Sequence, residues 1–266
     1  MKTRLLLLCA SCFWILPAQA QLGLALAPMR VEIKIAPGGQ YTDTVRLSND
    51  SPAPVRVRAE TLDFYIDNTL TPQFGASYEQ EAKLSCREWL QINPREFDME
   101  ATATTRVRYT LRVPSGISEG EYHCGAGFVT LPPVSESATP MGVRMAVRAV
   151  TALYVIIGNP SSRPLLKDLS LKALPNGTWE ASALFENQGL RSFRIKGFLE
   201  VLDADDRPIE QAEYAPVPVL PQREQVFPFP LKTSLSPGTY LLHTQADVGL
   251  PAVLEGSVRV VVNGTQ

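Results

Sequence analysis

Apolar and polar residues alternate in short runs along this chain, and the runs are broken at short intervals by Gly, Pro, Asn and Asp. Residues 28–35 place Met29, Val31, Ile33 and Ile35 on one face and Arg30, Glu32 and Lys34 on the other. That period of two is the mark of a half-buried strand. Pro37-Gly38-Gly39 turns the chain, and 41–49 alternates again through Val45 and Leu47. Ser48 to Pro52 predicts a second turn and 55–64 a third strand. Residues 67–80 are polar and interrupted by Gly and Pro, which predicts a long loop. Strands are predicted at 89–92, 97–99, 105–113 and 120–131, with 132–141 as a loop.

The longest nearly unbroken apolar run outside the N-terminus is 143–157, VRMAVRAVTALYVII. Its two arginines and its length rule out a membrane-spanning helix. Its β-branched content and its Gly158-Asn159-Pro160 ending predict a long strand. It closes a unit of about seven strands, as an immunoglobulin-like sandwich requires. After Pro160-Ser161-Ser162-Arg163-Pro164 the pattern restarts, as it does after a domain linker. Strands are predicted at 166–174, 178–185, 193–202, 217–220, 226–231, 238–246 and 256–262, with a charged hairpin turn over 203–208. The reading is all-β: two immunoglobulin-like β-sandwich domains, 21–160 and 161–266, the second of immunoglobulin or fibronectin type.

The first twenty residues stand outside this pattern. Lys2 and Arg4 precede an apolar stretch over 5–16, and Pro17-Ala18-Gln19-Ala20 ends in a small-x-small cleavage signal. Residues 1–20 therefore read as a cleaved signal peptide, and the rest as an exported chain. Lipid attachment at Cys12 is the rival reading; Cys9 stands where a lipobox has Leu. Removing Lys2 and Arg4 takes Lys plus Arg from 25 to 23 against 27 Asp plus Glu, a net charge of −4. That balance argues against nucleic acid as a partner.

Cys9 and Cys12 leave with the signal, so Cys86 and Cys124 remain as an even pair in an oxidising compartment. A structural disulfide is the first expectation and a redox pair the alternative. Two Cys and two distant His do not make a metal site. His123 and His243 have no catalytic or metal pattern around them. Asp203, Asp205 and Asp206 lack the Gly and distal Glu of a calcium loop. Asn49, Asn176 and Asn263 head Asn-x-Ser/Thr triplets. There is no nucleophile elbow, phosphate loop or paired catalytic carboxylate, so no enzyme activity and no cofactor are read from the sequence.

Several of these segments, in order, resemble the N-terminal domain of periplasmic pilus chaperones, the PapD-like family. They are Pro28-Met29-Arg30-Val31; Val45-Arg46-Leu47-Ser48-Asn49; Leu90-Gln91-Ile92-Asn93-Pro94-Arg95-Glu96-Phe97; Val107-Arg108-Tyr109 with Leu111; Gly120-Glu121-Tyr122 through Leu131-Pro132-Pro133; and the strand over 143–157. The resemblance covers roughly residues 25–160, about half of the mature chain. It implies a periplasmic, non-enzymatic protein that completes an unfinished pilin-like subunit by strand addition, with an outer-membrane usher as a further partner. It also implies that the last strand of the first domain presents Val143, Met145 and Val147 on one phase and Arg148 and Val150 on the other. Arg30 takes the place of an arginine that anchors the subunit's C-terminal carboxylate. The family has a lysine beside it on the last strand, where this chain reads Leu153-Tyr154-Val155. The alternative is a structural or adhesive envelope module built of immunoglobulin-like domains. An exported glycan-binding module or enzyme is a third class that no motif recommends.

Overall fold

The computed structural model of the protein describes residues 23–75, 83–131 and 146–263. The first part of the chain forms strands β1 (Leu24–Ala27), β2 (Arg30–Ile35), β3 (Gln40–Asn49), β4 (Val55–Ile66), β5 (Pro72–Gly75), β6 (Leu90–Asn93), β7 (Glu96–Met99), β8 (Thr104–Arg112), β9 (Gly120–Leu131) and β10 (Arg148–Ile157). One sheet runs β1-β3-β8-β6; the other runs β2-β10-β9-β4-β5, with β7 also paired to β4. The alternation read from the sequence sets the inward face. Val45, Leu47, Val107, Tyr109, Leu111, Cys124, Ala126, Phe128, Leu153 and Val155 are buried between the two sheets.

The segment read as one opening strand is two. β1 pairs antiparallel with β3 in the first sheet. After Pro28 and Met29 the chain crosses, and β2 pairs in parallel with β10 in the second. The predicted loop over 67–80 contains β5, which folds back on β4. Asp67 makes that turn, its carboxylate accepting from the N–H of Thr69 at 2.8 Å and of Thr71 at 2.9 Å. Cys86 and Cys124 form the expected disulfide, with Cα atoms 5.2 Å apart.

The second part holds β11 (Pro164–Ala173), β12 (Trp179–Asn187), β13 (Phe193–Arg194), β14 (Lys196–Leu202), β15 (Pro208–Glu213), β16 (Pro218–Val219), β17 (Arg223–Pro230), β18 (Gly238–Asp247) and β19 (Leu254–Val262). Its sheets run β11-β12-β17 and β15-β14-β18-β19, with a small β13-β16 ladder. The charged run makes a hairpin turn, Asp203 N–H donating to the Arg207 carbonyl at 2.9 Å, and the turn leads into β15, which the alternation did not reveal. Tyr214 stands edge-on to Phe185, Phe227 and Phe229 in this second core. Its hydroxyl and Thr244 Oγ1 share a hydrogen bond of 2.6 Å.

A third, smaller apolar cluster joins the two parts: Phe64 and Tyr154 from the first and Leu220 from the second, with Ile66, Phe74 and Ala152 against them. Asn187, fully buried, ties the linker to the second part. Its Oδ1 accepts from Gly189 and Arg163 N–H, and its Nδ2 donates to the Arg191 and Val219 carbonyls.

Candidate partner-binding site at the junction of the two sandwiches

β10 has two different edges. Along its whole length it pairs antiparallel with β9. On the other side β2 covers only Ala152–Ile157. The backbone direction can be followed from two contacts. Val147 exchanges hydrogen bonds with Thr130, towards β9, while Ala152 N–H donates to the Met29 carbonyl, towards β2. Successive residues of a strand point their backbone groups to opposite sides. Arg148 and Val150 therefore aim N–H and C=O groups at the open side of the sheet. Thr151, fully buried, donates its hydroxyl to the Pro28 carbonyl at 2.8 Å and fixes where β2 takes over the edge.

The side chains of β10 divide in the same way. Val147 and Ala149 pack on the core of their own sandwich, as do Leu153, Val155 and Ile157. Arg148 lies on the outer face and pairs with Glu60 at 3.2 Å. Val150 shares that face, close against Gly125, where an added Cβ would lie 2.8 Å from it. Val143 and Met145 lie outside the described residues. Met29, at the point where the edge changes hands, is 74% exposed.

Just beyond the open half-edge lies a charged cluster shared by the two sandwiches. Arg30, opposite Ala152 in register, is exposed and 3.7 Å from Glu32. Arg191 reaches Glu32 at 3.4 Å and Glu121 at 4.0 Å. Arg194 stands over the ring of Tyr154, its guanidinium carbon 5.7 Å from the centroid. Burial pushes the Tyr154 phenol above its ordinary range, against the pull of Arg194 and Arg30. Beneath these, Glu121 accepts a hydrogen bond from His123 Nε2 at 2.8 Å, both side chains 2% exposed. Burial opposes ionisation of Glu121; hydrogen bonds from His123 and Ser192 outweigh it and hold the carboxyl below its ordinary value. Glu121 N–H also donates to the Leu190 carbonyl at 2.9 Å, a backbone tie across the junction. Three guanidiniums thus face two carboxylates, an excess of one positive charge.

Among the sequence-designated residues, the fold brings Arg30 to the same junction that Arg148 and Val150 lead into. Arg194 and Tyr154 had no signal in the sequence, because they are forty residues apart and meet only through the junction. Glu121 and His123 had one: two residues apart on a strand, they share a face.

No family model matches the sequence, and no curated protein matches it. Solved structures similar to it include the YadV chaperone (TM-score 0.47, 13% identity, 89% of this chain and 99% of that one). The CsuC–CsuE chaperone–tip adhesion subunit complex of Acinetobacter baumannii aligns at TM-score 0.46 and 13% identity, over 89% of this chain and 97% of that one. The Salmonella enterica SafA pilin–SafB chaperone complex aligns at TM-score 0.43 and 15% identity, over 92% and 99%.

Proposed function

We propose that this chain is a periplasmic, non-enzymatic chaperone that binds an unfinished β-sandwich subunit of the pilin kind by strand addition. The observation that carries the reading is the half-open edge of β10. Among the described residues no backbone group meets the outward N–H and C=O groups at Arg148 and Val150, and such groups are a template for another chain's strand. The edge is open only up to Ala152, where β2 occupies it, so an added strand must end or turn there. What it meets is Arg30 and, past it, the Tyr154–Arg194 pair. A positive excess selects a carboxylate over an amine, and a guanidinium can grip it with two hydrogen bonds. The added strand then runs parallel to β10 with its C-terminus at the junction. Arg194, from the second sandwich, serves in place of the lysine that the resemblance calls for on β10. Residues 21–160 and 161–266 act as the two binding domains, with residues 1–20 as the export signal.

The test uses the C-terminal strand peptide of a fimbrial subunit, labelled at its N-terminus, with a free or an amidated C-terminus. The free acid should bind at least about tenfold tighter, a difference of ~1.4 kcal/mol. Arg30→Ala and Arg194→Ala should each remove most of that preference. Val150→Pro deletes an outward N–H without touching the β9 ladder and should abolish binding of both forms. Equal binding of acid and amide, unaffected by Val150→Pro, would refute the reading.

A further inference from the structure

The second sandwich has a free edge of its own. β19 ends the order β15-β14-β18-β19 and, among the described residues, pairs only with β18. β11 packs over its inner side, Leu166 filling the space a side chain at Gly256 would take. No backbone hydrogen bond joins β11 and β19 among the described residues. Leu254, Val258 and Val260 turn towards the core. The outward positions are Glu255, Ser257, Arg259 and Val261, with Val253 just before the strand, and all five are exposed. Val253 and Val261 are 56% and 68% exposed, two of the largest apolar exposures in the described chain. A nine-residue edge strand with exposed valines at both ends is a hazard unless something covers it.

The order of these side chains is Val, Glu, Ser, Arg, Val: the valines are symmetric about Ser257 and the flanking charges are opposite in sign. We propose that β19 pairs antiparallel with β19 of a second copy of this chain, about a two-fold axis through Ser257. In an antiparallel pair, residues directly opposite share a face. With the axis at Ser257, Glu255 meets Arg259 of the other copy twice over, and Val253 meets Val261 twice over. Ser257 meets itself. Moving the axis to Val258 sets Glu255 against Val261 and Ser257 against Arg259. Moving it to Arg259 or to Glu255 sets like charges opposite one another. Only the register at Ser257 matches charge to charge and valine to valine at every position, as an isologous contact requires. Arg259 has no carboxylate partner among the described residues, so its charge is available. Glu255 lies 3.6 Å from His243 through one oxygen and keeps the other for Arg259 of the second copy. The paired sheets form one continuous sheet through both copies. A contact of two strands is small, so the dimer is a weak one that fills at high concentration.

The experiment is sedimentation velocity on the mature chain over a concentration series reaching the sub-millimolar range. The wild type should show a reversible monomer–dimer equilibrium. Arg259→Glu and Glu255→Arg each place like charges opposite at two symmetric positions, and each should weaken the dimer by about tenfold or more. The double exchange, Glu255→Arg with Arg259→Glu, should restore it. Under mild oxidation Ser257→Cys should cross-link to itself, whereas Arg259→Cys, far from its own copy across the axis, should not. A wild type that stays monomeric throughout overturns the proposal. So does a double exchange that fails to restore, or a Ser257→Cys that cross-links no faster than Arg259→Cys. Capture of Ser257→Cys by a different polypeptide alone assigns the edge to that partner and overturns the second copy. The surface is remote in sequence from the β10 edge, and its test does not depend on the strand-addition reading.

Discussion

Glu121 shows how much a single ionised side chain does at the junction. It is 2% exposed, yet hydrogen bonds from His123 and Ser192 keep it charged. A buried carboxylate is tolerated only with such partners. Its lowered value fixes the sign of the pH dependence. The carboxylate contributes stability above the ordinary glutamate range, near ~4.3, and that contribution is lost as pH falls through the lower folded-state value. Glu121→Gln should cost about 1–3 kcal/mol at neutral pH. Chemical denaturation from neutral pH down to strong acid should show the gap between wild type and variant constant at first and then closing below the ordinary carboxylate range. A gap that stays the same in strong acid would show that Glu121 acts through shape alone.

At the scale of elements, the disulfide and β10 illustrate two ways of fixing a strand. The short segment around Ser85–Trp89 bridges to β9: Ser85 pairs with His123, and Cys86 N–H donates to the His123 carbonyl at 3.1 Å. The Cys86–Cys124 bond closes a loop with a sequence separation of 38 residues. In the chain-entropy account, removing such a bond costs about 3–4 kcal/mol. Cys86→Ala with Cys124→Ala should lower the unfolding free energy by about that much, while circular dichroism continues to report an all-β protein. An unchanged denaturation midpoint would mean that the segment is held by its packing rather than by the bond. β10 is fixed instead by its neighbours: central from Ala152 onward, open before it. The same strand thus supplies both core and candidate docking edge, and only the reach of β2 separates the two uses.

At the scale of the whole molecule, two separate cores meet through the small cluster of Phe64, Tyr154 and Leu220. The tip of β4–β5 adds a second point of contact: Leu70 packs on the second core, and Gln225 Nε2 donates to the Asp67 carbonyl at 2.9 Å. Leu220 is 4% exposed, so placing a charge there leaves it uncompensated in an apolar site. Leu220→Asp should uncouple the halves. A single cooperative thermal transition would split into two, and small-angle scattering would show a broader range of domain angles. Because the carboxylate site proposed above is built from both halves, the same variant should also lose the preference for a free C-terminus. One unbroken transition with full preference retained would place the coupling elsewhere.

The strand alternation, the break near Pro160 and the Cys86–Cys124 pair were legible in the chain. Each is a local property: a period of two, a Pro-rich break, two cysteines outside the first twenty residues. Local pattern does not name a strand's neighbours. The run over 143–157 reads as one strand, and nothing in its residues says that β2 covers only its second half. The crossing at Pro28 that puts β1 and β2 into different sheets is equally silent, since both halves alternate. β5 and β15 escaped because each follows a polar turn and is too short to show its own period. Arg194 gained a role only when the second sandwich folded back and set it over Tyr154. The chain by itself determined most of the strand residues and which face of each strand is apolar. Tertiary structure decided which edge stays open and which charges share a cleft, because pairing and proximity depend on atoms far apart in sequence.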